Sequence, residues 1–180
     1  MNNRVKNLVM TGLLTALLCV ISPITIPLPG GVGVTLSVFM VMLITYLAGI
    51  RRGLLCCLLY LLIGAVGLPV FSGFQGGLGR ITGPTGGYLV GYIAIVLIAG
   101  VFANFEKIGK VFPILGNFLG LAVCYVMGNL WYMYTMKVSF YQAMIVCVLP
   151  FIVFDIFKIV LVCIIGPIIK KHIKWDEKGQ

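Results

Sequence analysis

The sequence predicts an all-α integral membrane protein of six transmembrane helices with both termini on the cytoplasmic side. Composition is the first of three observations behind this. Of 180 residues, 61% are hydrophobic and only 9% charged, with a mean hydropathy of +1.16, whereas a soluble domain is about 45–50% apolar and about 25% charged. The second is segmentation: apolar stretches recur at the length of about 20 residues that a bilayer crossing needs. The third is the placement of charge, because Lys and Arg gather at the ends of those stretches, as membrane topology requires. The net charge of +9, from 13 basic against 4 acidic residues, therefore reads as topology rather than as a nucleic-acid surface.

Taken in order, the first stretch, "MNNRVKNLVMTGLLTALLCVISPITIP", resembles a signal peptide in placing Arg4 and Lys6 before an apolar run. No small-x-small cleavage site follows, so it is expected to remain as a first span over 7–26, with Pro23 as a place where it can end early. Spans two and three are expected at 33–50 and 53–70, joined at Arg51 and Arg52, span four at 84–102 and span five at 112–131. The sixth, 140–169, is long and carries Pro150 and Pro167 near its ends, so it is expected to tilt or kink. Residues 1–180 then form a single transmembrane domain, with no length left for a soluble one.

With the N-terminus inside, the inner segments hold ten basic residues: Arg4, Lys6, Arg51, Arg52, Lys107, Lys110, Lys170, Lys171, Lys174 and Lys178. The outer segments hold two, Arg80 and Lys137, and Lys158 belongs to neither side. Trp131, Tyr132, Tyr134 and Tyr141 cluster at one outer boundary and Trp175 lies at the inner one, as interfacial aromatics do.

Residues 67–92 carry nine glycines and two prolines between two apolar stretches. The first part, 71–82, reads as an outward-facing loop, and the second begins span four. Gly83, Gly87 and Gly91 fall every fourth residue on one helix face, and Gly116, Gly120, Cys124 and Gly128 repeat the device in span five. Both stripes suit close helix packing. Packing does not require "FSGFQGGLGR" above them; glycines beside aromatics suit close backbone approach to a small ligand, or a lid over one.

Span six, "LPFIVFDIFKIVLV", contains two charges, Asp155 and Lys158, one helical turn apart and on one face. A lone charge at mid-bilayer costs about 2.5–3.5 kcal/mol on insertion scales. A self-neutralising pair is the plain alternative, yet apolar replacements often stabilise a buried site more than an ion pair does. The pair offers an acceptor and a donor side by side, which suits a polar ligand bearing both.

Other motifs exclude functions. The cysteines at 19, 56, 57, 124, 147 and 163 lie in apolar segments without a C-x-x-C pair, so they read as packing residues, with neither a metal site nor a disulfide framework expected. The Gly109–Lys110 dipeptide is followed by Val111 and has Asn104 where a P-loop needs its first glycine. His172 sits in the basic tail. Neither paired carboxylates nor an acid chain for proton coupling occurs in the spans. No enzymatic activity and no cofactor are expected.

"GLPVF", "GGLG", "GPTGGYLVGY" and the Asp-x-x-Lys of the last span resemble the BioY family, the biotin-specific substrate-binding (S) components of energy-coupling factor (ECF) transporters. The resemblance runs over nearly the whole chain, including "PLPGGVGVTLS" and "LAGIRRGLLCCLLYLLIGAVGLPVF", and "GPTGGY" joined to "GLPVF" at this spacing is highly specific. It implies an ECF S-component-like fold of six helices in the prokaryotic plasma membrane, capturing biotin from outside. It implies as partners a membrane-embedded coupling (T) subunit and a pair of ATP-binding-cassette ATPases, and a subunit that tips over in the bilayer to release its vitamin. Carried onto this chain, biotin contacts fall on Phe71, Gly73, Phe74 and Gln75, on Arg80 and Tyr88, and on Asp155 and Lys158. Asp155 would accept from the ureido N–H groups, Lys158 would donate to a ligand oxygen, and Phe71, Phe74 and Tyr88 would enclose the rings; Arg80 is placed to meet the carboxylate from the outer side, although the sequence does not fix which of the two cations meets which end of biotin. Docking on the coupling subunit falls on Gly12 and Ala16 of "TGLLTALL", which departs from the family's usual paired alanines. The alternatives are an S component for another vitamin such as riboflavin or thiamine, a stand-alone biotin facilitator, or a structural membrane subunit.

Overall fold

Helices with almost no polar surface make up most of the chain. The structure, a computed structural model, describes residues 3–26, 33–106, 109 and 111–172. Seven helices occur among them: α1 (Asn3–Ile21), α2 (Ser37–Ala65), α3 (Leu78–Thr82), α4 (Gly86–Ala103), α5 (Val111–Met136), α6 (Phe140–Cys147) and α7 (Leu149–His172). A two-residue antiparallel ribbon, β1 (Thr25–Ile26) with β2 (Val34–Thr35), sits between α1 and α2. By length and composition α2, α4, α5 and α7 are long and apolar enough to cross a membrane, and α1 adds a shorter apolar run, Val5–Ile21. Away from the ends of the bundle their outward surfaces are apolar: Leu13, Leu17, Leu58, Leu62, Leu119, Val126, Phe157 and Val160 are all exposed. A soluble protein does not present so much contiguous apolar surface.

Helix α2 is not one straight rod. A Cβ placed on Gly53 would lie 3.3 Å from the Cα of Thr45, although eight residues of straight helix span about 12 Å. The chain therefore folds back on itself between them, and the break is Gly49, with φ 75° and ψ −179°. That region of backbone space is open essentially to glycine alone. The arms 37–48 and 50–65 occupy the places expected for spans two and three, with the turn two residues before Arg51. The expected helix ends were too generous: residues 22–26 and 33–36 lie in the ribbon and its flanks, and 66–70 lead into the loop.

The bend expected in the last apolar segment is a full break. Val148, at φ −124° and ψ −57°, separates α6 from α7. Neither proline makes it: Pro150 falls in the first turn of α7, where its missing N–H costs nothing, and Pro167 lies inside that helix near its end. Ser139 starts α6 with a capping box to Gln142, satisfying two otherwise orphaned backbone groups.

The glycine stripes of spans four and five meet face to face. A Cβ on Gly91 would lie 2.7 Å from Cys124 Sγ, one on Gly120 would lie 3.1 Å from the Ile95 Cα, and one on Gly128 would press into the Tyr88 ring at 2.3 Å. Lipid offers little hydrophobic drive between helices, so this backbone-to-backbone approach supplies the contact. Gly83 stands apart from its stripe; it caps α3, and its carbonyl accepts from Trp131 Nε1 at 2.9 Å.

The end of the bundle holding the Gly49 turn carries Arg51 and Arg52. It also carries a cluster in which Lys170 lies 2.7 Å from Glu106 Oε2, the Tyr46 hydroxyl donates to the same carboxylate, and the ammonium stands 5.0 Å over the Tyr46 ring. Lys107, Lys110, Lys174, Lys178, Trp175 and the side chain of Arg4, all used in the topology reading, lie outside the described residues, as does the 27–32 part of "PLPGGVGVTLS".

Candidate ligand-binding site

The opposite end of the bundle is hollow. A cavity with about 730 Å³ of empty space, its open mouth included, lies between the start of α2, the loop after it, α3, and helices α4 to α7. Each wall has a local cause. The 71–75 segment closes on itself through Phe71 N–H to the Gln75 carbonyl at 2.8 Å. Positive φ at Gly73 (72°) and Phe74 (57°) makes that turn tight. The turn sends Phe71 inward, 1% exposed and edge-on to the Tyr60 ring at 5.4 Å, and Phe74 outward, 69% exposed. The Gly73 N–H donates to the Pro23 carbonyl and to Thr25 Oγ1, each at 3.1 Å, and Thr25 Oγ1 lies 2.9 Å from Ser72 Oγ. These bonds stitch the loop to the ribbon that forms the adjoining wall.

Helix α4 contributes Tyr88, whose ring lies on Gly128 and whose hydroxyl donates to the Cys147 carbonyl at 3.2 Å. One turn further, Tyr92 donates to Ser37 Oγ at 3.1 Å. Helix α7 contributes Asp155 and Lys158, 3% and 5% exposed, with Nζ 2.7 Å from Oδ1. The second carboxylate oxygen accepts from the Tyr125 hydroxyl at 2.5 Å, joining α5 to α7. Arg80, on α3, lines the cavity and has no carboxylate within salt-bridge reach among the described residues.

Of the residues singled out from sequence, the fold brings Phe71, Arg80, Tyr88, Asp155 and Lys158 around one cavity. Gly73, Phe74 and Gln75 are on the outer side of the loop and do not line it. Gly12 and Ala16 are exposed on α1, with nothing within 4 Å of a Cβ on Gly12. Sequence reasoning passed over Tyr125, Tyr92, Thr35, Cys124, Cys147 and Phe151, which also line the cavity. For Tyr125 a signal existed: it adjoins Cys124 of the small-residue stripe, and a buried phenol needs a hydrogen-bond partner. No grouping of His, Cys, Asp and Glu suited to a metal occurs among the described residues.

Long apolar helices closed around a cavity with three charged side chains in its wall define a multi-pass membrane protein. Its relatives give the family. The chain belongs to the BioY family, whose profile matches residues 1–175. It is 37% identical over 171 residues to a protein of Thermotoga maritima named biotin transporter BioY, covering 92% of this chain and 96% of that one. It is 40% identical over 163 residues to a probable biotin transporter BioY of Pyrococcus horikoshii, covering 91% and 95%. A crystal structure described as the S-component for biotin from an ECF-type ABC transporter superposes with a TM-score of 0.88 at 25% identity. That match covers 97% of this chain and 96% of the other.

Proposed function

We propose that this chain is the biotin-binding membrane subunit of an ECF-type uptake transporter, working in the plasma membrane of a prokaryote. The observation that carries the reading is the cavity's division of labour. One wall holds an acceptor and a donor, Asp155 and Lys158, another element brings the cation Arg80, which has no salt-bridge partner among the described residues, and apolar and aromatic side chains complete the lining. Biotin has a matching set of groups: a ureido ring with two N–H donors and a carbonyl, an apolar thiophane, and a carboxylate on a flexible arm. In this reading Asp155 accepts from a ureido N–H, Lys158 donates to a ligand oxygen, Phe71 and Tyr88 enclose the rings, and Arg80 takes the carboxylate. Gly73, Phe74 and Gln75 act through the loop they build. Names given to the relatives in this family point to the same ligand.

Six segments cross the bilayer in this reading: α1, the two arms of α2, α4, α5, and α6 with α7. The basic Gly49 end then faces the cytoplasm and the cavity faces outward. Energy comes from partners, a coupling subunit and two ATP-binding-cassette ATPases, and the exposed Gly12–Ala16 face of α1 is where the coupling subunit docks. Reconstituted vesicles test this. The chain alone should not concentrate biotin, and vesicles that also contain the coupling subunit and ATPases should do so when supplied with ATP. Uphill uptake by the chain alone would overturn the partnership.

A further inference from the structure

Tyr125 has a fixed polarity toward the cavity. A phenol carries one proton and can act as donor or acceptor. Here the proton is committed, because the hydroxyl donates to Asp155 Oδ2 at 2.5 Å. The other carboxylate oxygen is held by Lys158 at 2.7 Å, so the acid stays oriented and cannot turn away. Tyr125 and the Asp155 it bonds both line the cavity, and with its proton committed the phenol oxygen has acceptor capacity alone. Donation to a charged acceptor also polarises the phenol and strengthens what its oxygen accepts.

We propose that Tyr125 is a specificity-determining residue: it accepts a hydrogen bond from a ligand N–H and rejects any ligand that places an oxygen at the same point. The proposal rests on the reading that the cavity binds biotin, whose cyclic urea supplies such N–H donors. It differs from a purely positioning role, in which Tyr125 would matter only by holding Asp155. A residue that merely positions Asp155 weakens every ligand when removed. One that contacts the ligand directly weakens only ligands that carry the matching donor.

The test uses Tyr125→Phe, biotin, and the two cyclic carbamate analogues in which one or the other ureido N–H is replaced by a ring oxygen. Affinities are measured by calorimetry and by displacement of labelled biotin from monodisperse protein. Tyr125→Phe should bind biotin about tenfold more weakly than the wild type, the scale of one hydrogen bond. It should bind one carbamate isomer as well as the wild type does, or better, since an oxygen–oxygen repulsion is relieved. Tyr125→Met, equally without a hydroxyl, carries the same test if the phenylalanine variant is not monodisperse. Equal losses for biotin and both carbamates would overturn the assignment while leaving the biotin reading standing. A wild-type protein that does not bind biotin would overturn that reading, and the Tyr125 inference with it.

Discussion

A carboxylate and an ammonium one turn apart in an apolar helix can be present for each other or for a ligand. Asp155 and Lys158 are nearly inaccessible from outside yet line the cavity, so the two explanations predict different mutants. If they only neutralise one another, replacing both with leucine should leave binding intact and can stabilise the fold. If they hold biotin, Asp155→Asn and Lys158→Met should each weaken binding by about one to two decades, the worth of a charge-assisted hydrogen bond. The double variant should not recover it. Asp155→Asn is the sharper single change, because its amide would turn a donor toward Lys158 or Tyr125, both of which are donors. Near-normal affinity in the folded double variant would remove the pair from the site. At this scale the sequence was informative where chemistry and spacing sat on one helix. It was silent where they did not: Tyr125 reaches Asp155 across 30 positions, and no spacing rule measures the gap between two helices. Phe71 and Phe74 looked equivalent in "FSGF", and only the tight turn through Gly73 separates the ring that faces the cavity from the ring that faces out.

At the scale of elements, glycine positions make the fold specific. Gly49 lets the two arms of α2 fold back, at a φ of 75° that a side chain tolerates at a cost of about 1–3 kcal/mol. Gly49→Ala should therefore lower the thermal midpoint in detergent. It should leave the biotin affinity of the folded protein unchanged, because the turn lies at the end away from the cavity. An unaltered midpoint would mean that the reversal does not depend on that glycine. Gly87 is tighter still, since a Cβ there would lie 2.3 Å from Trp131 Cβ. Gly87→Leu should push α4 off α5, with overpacking of about 1–3 kcal/mol or more, and lower the yield of monodisperse protein. Normal yield would place that face against open space. The two stripes were legible because a four-residue period of small residues has one efficient use between apolar helices. The helix ends were less legible: apolar character continues through 66–70 and through the start of α2, so hydropathy alone does not mark where loop backbone takes over. The break at Val148 carries no residue signature at all, while the nearby proline, a visible breaker, sits where a helix accepts it.

For the whole molecule, the two described carboxylates mark the two ends of the bundle, each held by a tyrosine and a lysine. Glu106 ties the end that holds the Gly49 turn together with Tyr46 and Lys170. Asp155 is held by Tyr125 and Lys158 at the cavity. The Glu106–Lys170 pair is partly solvated, so its loss should cost about 1 kcal/mol or less, and the asymmetry of function lies at the other end, where the helices separate to leave the cavity. The central claim is that this cavity binds biotin without help from nucleotide or partner. Calorimetric titration of the purified chain in detergent, with no ATP present, tests it most directly. Biotin should give a saturable binding heat and riboflavin and thiamine none; no heat with biotin, together with a response to another vitamin, would contradict the account.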